Sequence, residues 1–294
     1  CSSQGRPRTF KDNRIGHEFP CGQRFVRNWR TCVAVLFLLG TVPFFSVPAF
    51  ASGPLIAAAA SIRPALEELS ARYNQVTGQS VRLVFGSSGT LANQIANGAP
   101  YALFLSANTA YVQWLVDLGF ARGAPVTYAS GVLALYSRPG LLGQAENPLL
   151  ALGYALEDGA IKRLVIANPE YAPYGSAARA ALQHAGTWDQ ARQVLLIGAN
   201  AGQAVQYALE GDVDVAFVPM PLAQLAKLQK TGHLQALPSE TFPNVELDQQ
   251  MVLLPNADQE TREFFTYLQS IDSRDIFSRH GLDDPALTNP NLQQ

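Results

Sequence analysis

Short apolar runs alternate with segments of helical spacing along most of this chain. Leu55-Ile56-Ala57-Ala58-Ala59-Ala60 closes on Ser61, and Leu66, Leu69, Tyr73 and Val76 then recur on one helical face. Val81–Phe85 is a second short run. Gly86-Ser87-Ser88-Gly89-Thr90 follows it, and Leu91 and Ile95 mark a helix that Asn97-Gly98 and Pro100 end. Leu103-Phe104-Leu105 reads as a strand, Val112, Leu115, Val116 and Gly119 as a third helix, and Gly131–Tyr136 as a strand. A second set begins with the strand Leu164–Ala167, the turn Ala172-Pro173-Tyr174-Gly175 and the helix Ser176–His184. The strand Val194–Ile197 leads through Gly198-Ala199-Asn200-Ala201-Gly202 into a helix ending near Leu209. Strands at Val213–Val218 and Met251–Leu254 and a C-terminal helical pair (Phe264, Phe265, Leu268, Ile276, Phe277) complete the pattern. Alternation of this kind predicts an α/β fold with mostly parallel strands.

Four of the strand-to-helix turns share one composition: Ala60-Ser61, Ser87-Ser88-Gly89, Pro173-Tyr174-Gly175 and Asn200-Ala201-Gly202. Each starts a helix, so each presents backbone N–H groups without intrahelical partners and the positive end of the helix dipole. Three also offer a hydroxyl. Taken singly, a serine at an N-cap is ordinary, and small residues at a strand end merely allow close packing. Two turns in each half of the chain are another matter, because two facing lobes could bring them onto one small anion. No Lys or Arg lies between Val84 and Pro100, so neutral donors would hold it; Arg63, two residues after Ser61, is the nearest cation to these turns. A hydrogen bond to a charged group contributes about 1.5–3 kcal/mol, so a handful is enough for tight binding.

Composition splits the chain in two. Residues 1–51 hold seven of the 21 basic and two of the 23 acidic residues, so the remainder carries a net charge of −7. Arg27 and Arg30 precede the apolar run Cys32–Val47, and Ala49-Phe50-Ala51 has the small-x-small form of a cleavage site. This is the pattern of a secretory signal peptide; Pro43 and Pro48 interrupt the run, against a membrane anchor. All three cysteines (Cys1, Cys21, Cys32) fall in this leader, so the exported part has no disulfide to stabilise it. An acidic chain with no basic cluster argues against nucleic acid as a partner.

Enzyme motifs are missing. Gly86-Ser87-Ser88-Gly89-Thr90 is neither G-x-S-x-G nor a P-loop. After the leader, His184, His233 and His280 stand far apart with no cysteine, so no metal motif forms. Glu210, Asp212 and Asp214 surround a turn and read as solvated.

The same residues carry a family resemblance. Ala58-Ala59-Ala60-Ser61, Phe85-Gly86-Ser87-Ser88-Gly89-Thr90-Leu91, Gln94–Pro100, Leu103-Phe104-Leu105-Ser106-Ala107, Asn168-Pro169 with Ala172-Pro173-Tyr174-Gly175, and Asn200-Ala201-Gly202-Gln203-Ala204 together resemble the molybdate-binding proteins of bacterial ABC importers, within the type II periplasmic binding-protein family. The resemblance runs from about Leu55 to Leu282. It implies a two-lobed periplasmic binding-protein fold, each lobe a mostly parallel sheet flanked by helices, with the ligand cleft between. Lobe 1 would be 54–130 plus 248–294 and lobe 2 would be 131–247, after a leader over 1–51; Gly131–Tyr136 and Met251–Leu254 would be the crossovers. It implies that Ser61 and Ser88 donate from the first lobe and that Tyr174 and the amide of Ala201 donate from the second. Where some members carry a tyrosine this chain has Pro219, and family aspartates stand as Ala102 and Asn108. The implied function is capture of molybdate or tungstate in the periplasm, as a monomer without a cofactor and without direct protein–metal ligands, for delivery to a membrane permease. Sulfate or another oxyanion is the alternative cargo, and an exported serine hydrolase using Ser88 is a further alternative.

Overall fold

The computed structural model describes residues 53–143 and 145–283; the leader expected over 1–51 lies outside the described residues. In the first half, β1 (Leu55–Ala59) runs through a 3₁₀ turn (Ala60–Ile62) into α1 (Arg63–Thr77). Next come β2 (Arg82–Gly86), α2 (Ser88–Ala96), β3 (Leu103–Ser106), α3 (Thr109–Asp117) and β4 (Val126–Ser130). The middle of the chain forms β5 (Leu133–Ser137), α4 (Pro148–Glu157), β6 (Leu164–Ala167), α5 (Pro173–His184), α6 (Trp188–Ala191), β7 (Leu195–Gly198), α7 (Ala201–Leu209), β8 (Val215–Pro219), α8 (Met220–Leu225) and β9 (His233–Ala236). The chain then returns through β10 (Asp248–Leu253) to α9 (Gln259–Tyr267) and α10 (Ile271–Arg279).

Two five-stranded sheets result, in the orders β2-β1-β3-β10-β4 and β7-β6-β8-β5-β9. Both have the same plan. The first three strands after entry run parallel, and the fourth position is taken by a strand that arrives from the other lobe. That visitor must run the opposite way: β10 is antiparallel to β3 and β4, and β5 is antiparallel to β8 and β9. Four of the five strands in each sheet therefore point the same way and the visitor alone opposes them, giving two parallel and two antiparallel junctions. The visiting strands are not themselves the crossovers. The chain passes between sheets just before β5, at residues 131–132, and between β9 and β10, at 237–247.

Period-two alternation puts both faces of each sheet to work. In the first sheet, Ile56, Ala58, Leu103 and Leu105 pack on Leu66 and Leu69 of α1, Phe264 of α9 and Phe277 of α10. Ala57 and Phe104 face the opposite way, onto Leu91 and Ile95 of α2 and Val112 and Leu115 of α3. In the second, Leu164, Ile166 and Phe217 meet α4 and α5, while Val165, Ala216 and Val218 meet α7 and α8. Val76, on the expected face of α1, is 68% exposed, because Tyr73, edge-on to Phe264 and tilted against Tyr267, closes the core one turn earlier. Asp214 is not a solvated turn residue either. Its carboxylate accepts the N–H groups of Lys162 and Arg163 at 2.7 and 3.0 Å and pairs with Arg138, clipping the start of β6 to that of β8.

One ion cluster ties the chain's return to its start. Glu68 on α1 meets His280 at 2.7 Å and Arg279 of α10 at 2.9 Å. The His280 hydrogen bond, then that of Arg279, hold the Glu68 carboxyl below its ordinary value. A carboxylate with a depressed native pKa stabilises the fold above its unfolded pKa and loses that contribution as pH falls through the native one. Glu68→Gln should therefore lower the melting temperature near neutral pH, with the gap to wild type narrowing as the medium is acidified below the carboxylate range. Thermal melts across pH on both proteins check this, and a gap independent of pH contradicts it.

Candidate functional site

The four expected turns sit at the C-terminal ends of the parallel strands β1, β2, β6 and β7, where α/β sheets open onto their ligand crevices. A small chamber, with room for about one water molecule, gathers all four, lined by Ala60, Ser61, Ser87, Ser88, Tyr174 and Ala201 among others. The structure thus brings together every residue singled out from the sequence. Larger concavities exist, of about 440 and 580 Å³, but neither collects hydroxyls and helix N-termini from both lobes. Backbone contacts clasp the lobes around the chamber. The Gly89 N–H donates to the Tyr171 carbonyl at 2.8 Å, and the Tyr111 hydroxyl donates to the Glu170 carbonyl at 3.1 Å.

Local sequence explains how each donor is aimed. Ser61 sits in the tight 3₁₀ turn that joins β1 directly to α1, 2% exposed. Its hydroxyl is buried and has no hydrogen-bond partner among the described residues. Ser88 opens α2, fully buried, and its Oγ accepts the Ala107 N–H at 3.0 Å. With that lone pair engaged, its own proton is left for the chamber. Ala201 is the first residue of α7, so its N–H has no intrahelical acceptor, and Asn200 caps the same turn by accepting the Gln203 N–H at 3.2 Å. Tyr174 lies in the first turn of α5, which approaches β6 so closely that a Cβ on Gly175 would stand 2.2 Å from the Ala167 carbonyl oxygen. That glycine lets the helix end, and Tyr174 with it, reach the chamber.

No charged side chain lines the chamber. Arg63 is turned elsewhere: its guanidinium lies 4.1 Å over the Phe85 ring and 3.3 Å from Glu67, half exposed. Burial pushes the Tyr174 hydroxyl well above its ordinary pKa, so it keeps its proton at any physiological pH. The chamber is therefore lined by neutral hydroxyls and free helix-start amides, suited to a small, multiply charged anion. Asn108 caps α3 by accepting the Tyr111 N–H. Pro219 sits at the N-cap of α8 and contributes no hydroxyl.

Two participants were not picked out from the sequence. Gln249, fully buried on β10, donates from Nε2 to the Tyr174 hydroxyl at 3.3 Å. Gly131, on the first crossover, leaves room for that hydroxyl, which would lie 2.2 Å from a Cβ there. A polar residue beside the apolar run Met251–Leu254 was the available signal for Gln249. Gly131 carried none.

Two mixed sheets joined by two crossovers, with hydroxyls and helix starts from both meeting at one small chamber, have the form of a two-lobed solute-binding protein. The chain belongs to the family described as bacterial extracellular solute-binding protein, which matches residues 54–283. It is 27% identical over 244 residues to the molybdate-binding protein ModA of Rhodobacter capsulatus, covering 83% of this chain and 93% of that protein. To ModA of Azotobacter vinelandii it is 28% identical over 233 residues, covering 77% and 88%. The solved Azotobacter vinelandii periplasmic molybdate-binding protein superposes with a TM-score of 0.71 at 28% identity, covering 79% of this chain and 99% of that one.

The unpartnered Ser61 hydroxyl makes Ser61→Ala a sharp test. A buried hydroxyl without a partner costs about 1–3 kcal/mol, so the alanine variant should melt no lower than wild type when free of ligand, or higher. Gly131→Ala should do the reverse. It must displace Tyr174, lowering the melting temperature while Ser61→Ala does not. Calorimetric scans of the three proteins decide both, and a clear loss of stability in Ser61→Ala would show that its hydroxyl has a structural partner.

Proposed function

We propose that this protein captures a tetrahedral oxyanion, molybdate or tungstate, in the chamber between its lobes, and delivers it to the membrane permease of an ABC importer. Ser61, Ser88, Tyr174 and the Ala201 amide are its donors. The observation that carries this reading is the buried, unpartnered Ser61 hydroxyl in a chamber that gathers neutral donors from four helix starts and no cation. The similarity to proteins named for molybdate binding supports the choice of cargo. In this reading the protein is exported to the periplasm and acts as a monomeric carrier. Lobe 1 comprises 54–130 and 248–294, lobe 2 comprises 131–247, and closure occurs at the two crossovers. A hydrolase reading of Ser88 lacks support: the group hydrogen-bonded to its Oγ is the Ala107 amide, which cannot take a proton.

The donor pattern sets the selectivity. Ser88 and Tyr174 each accept one hydrogen bond from the protein and keep their single proton for the anion, so a ligand proton would have to face a donor or take its place. Hydrogen phosphate should be disfavoured by about 1–3 kcal/mol on that ground, relative to a fully ionised anion of the same shape.

Thermal shifts and calorimetry on the exported protein test the proposal. At a ligand concentration of about one hundred times Kd, molybdate or tungstate should stabilise the native state by about 2.7 kcal/mol, with phosphate far behind. For a chain of this size that is a rise of roughly 5–10 °C in melting temperature. Ser88→Ala should weaken molybdate binding by roughly tenfold to a hundredfold, the effect of one lost hydrogen bond to a charged group. Arg63→Ala should change it little. Abolished binding in Arg63→Ala with intact binding in Ser88→Ala would overturn the neutral-donor mechanism, and a sulfate-selective shift would reassign the cargo.

A further inference from the structure

Among the hydroxyls of the chamber, Tyr174 alone is anchored by a residue of the first crossover and by one on the strand that follows the second. Gly131 precedes β5 and leaves the space that its hydroxyl fills. Gly131 also donates its N–H to the Leu247 carbonyl at 2.9 Å, so the two crossover segments are bonded side by side. Gln249 lies two residues beyond Leu247, fully buried, and bridges two phenols: Nε2 donates to Tyr174 at 3.3 Å and Oε1 accepts from Tyr128 at 2.9 Å. Tyr128 comes from β4 and also stands 3.3 Å from the Ser106 carbonyl. Burial holds both phenols protonated.

A phenol oxygen has one proton to give. If Tyr174 gives it to Gln249, the anion faces a lone pair; if Tyr174 accepts from Gln249, the proton is left for the anion. Tyr128 makes the difference, since its proton occupies Oε1 and leaves Nε2 directed at Tyr174. We infer that Gln249 is a positioning residue of the oxyanion site: held by Tyr128, it fixes Tyr174 as a donor to the cargo, and it does so from the strand that follows the second crossover. Rearrangement of the two lobes at the crossovers would shift Gln249 relative to Tyr174, so the polarity of this donor is set by lobe closure. The inference rests on the oxyanion reading above.

Calorimetric titration with sodium molybdate tests it on wild type, Gln249→Met, Tyr174→Phe and the double variant, each with a ligand-free melt. Gln249→Met should weaken binding three- to thirtyfold in the wild-type background and less than twofold in the Tyr174→Phe background, because its whole effect passes through the tyrosine proton. Gln249→Glu, of nearly the same size, carries the comparison if the methionine variant does not fold. It offers Tyr174 only an acceptor and should bind no better than Tyr174→Phe. A wild-type affinity in Gln249→Met, or an equal loss in both backgrounds, overturns the inference while the oxyanion reading stands. Failure of the wild type to bind molybdate overturns both.

Discussion

Burying an anion without a counter-cation is the constraint on which this structure turns. A charge removed from water costs several kcal/mol unless hydrogen bonds replace its hydration, and here none of the lining groups is a Lys or Arg. In the proposed site the replacement would come from helix starts, whose first amides have no partner of their own, and from three hydroxyls. Such donors work only if their protons cannot turn away. Ser88 is held by the Ala107 amide and Tyr174 by Gln249, each completely or nearly buried, an arrangement that suits that proposed role.

The sheet plan follows from the same need. One βα turn supplies two or three donors on one side of an ion; a full shell requires turns facing each other. Duplicating the β2-β1-β3 arrangement as β7-β6-β8, and exchanging a strand in each direction, sets two crevices mouth to mouth with two crossovers between them. Rigidity within each lobe comes from cores on both faces of each sheet and from the Glu68–Arg279–His280 cluster that fastens α10 to α1. The lobes meet through hydrogen bonds such as Gly89 to Tyr171 and through the packing of Ala59 and Ala107 against the core of the second lobe.

Much of this was legible in the sequence. Strands with contiguous apolar runs, such as β1, β3 and β6, were evident, and so were the four small-residue turns, because buried parallel strands and helix N-termini both leave local signatures. β4 and β9 were not, since Val126-Thr127-Tyr128-Ala129-Ser130 and His233-Leu234-Gln235-Ala236 mix polar and apolar residues, and β9 is a half-exposed edge. α4 was hidden by Leu150 and Tyr154, which blur its apolar face while standing more than half exposed. The chamber residues were found because each belongs to a turn. Gln249 and Gly131 escaped because their importance lies in what they touch across the fold, far from Tyr174 in sequence, and no local pattern encodes that.

The most direct test of the central claim is the position of a heavy oxyanion itself. In crystals grown with tungstate, an anomalous difference map should show one strong peak inside the chamber, with its nearest protein atoms the Ser61, Ser88 and Tyr174 hydroxyls and the Ala201 amide. A peak beside the Arg63 guanidinium, or none between the lobes, would contradict an anion held by neutral donors alone.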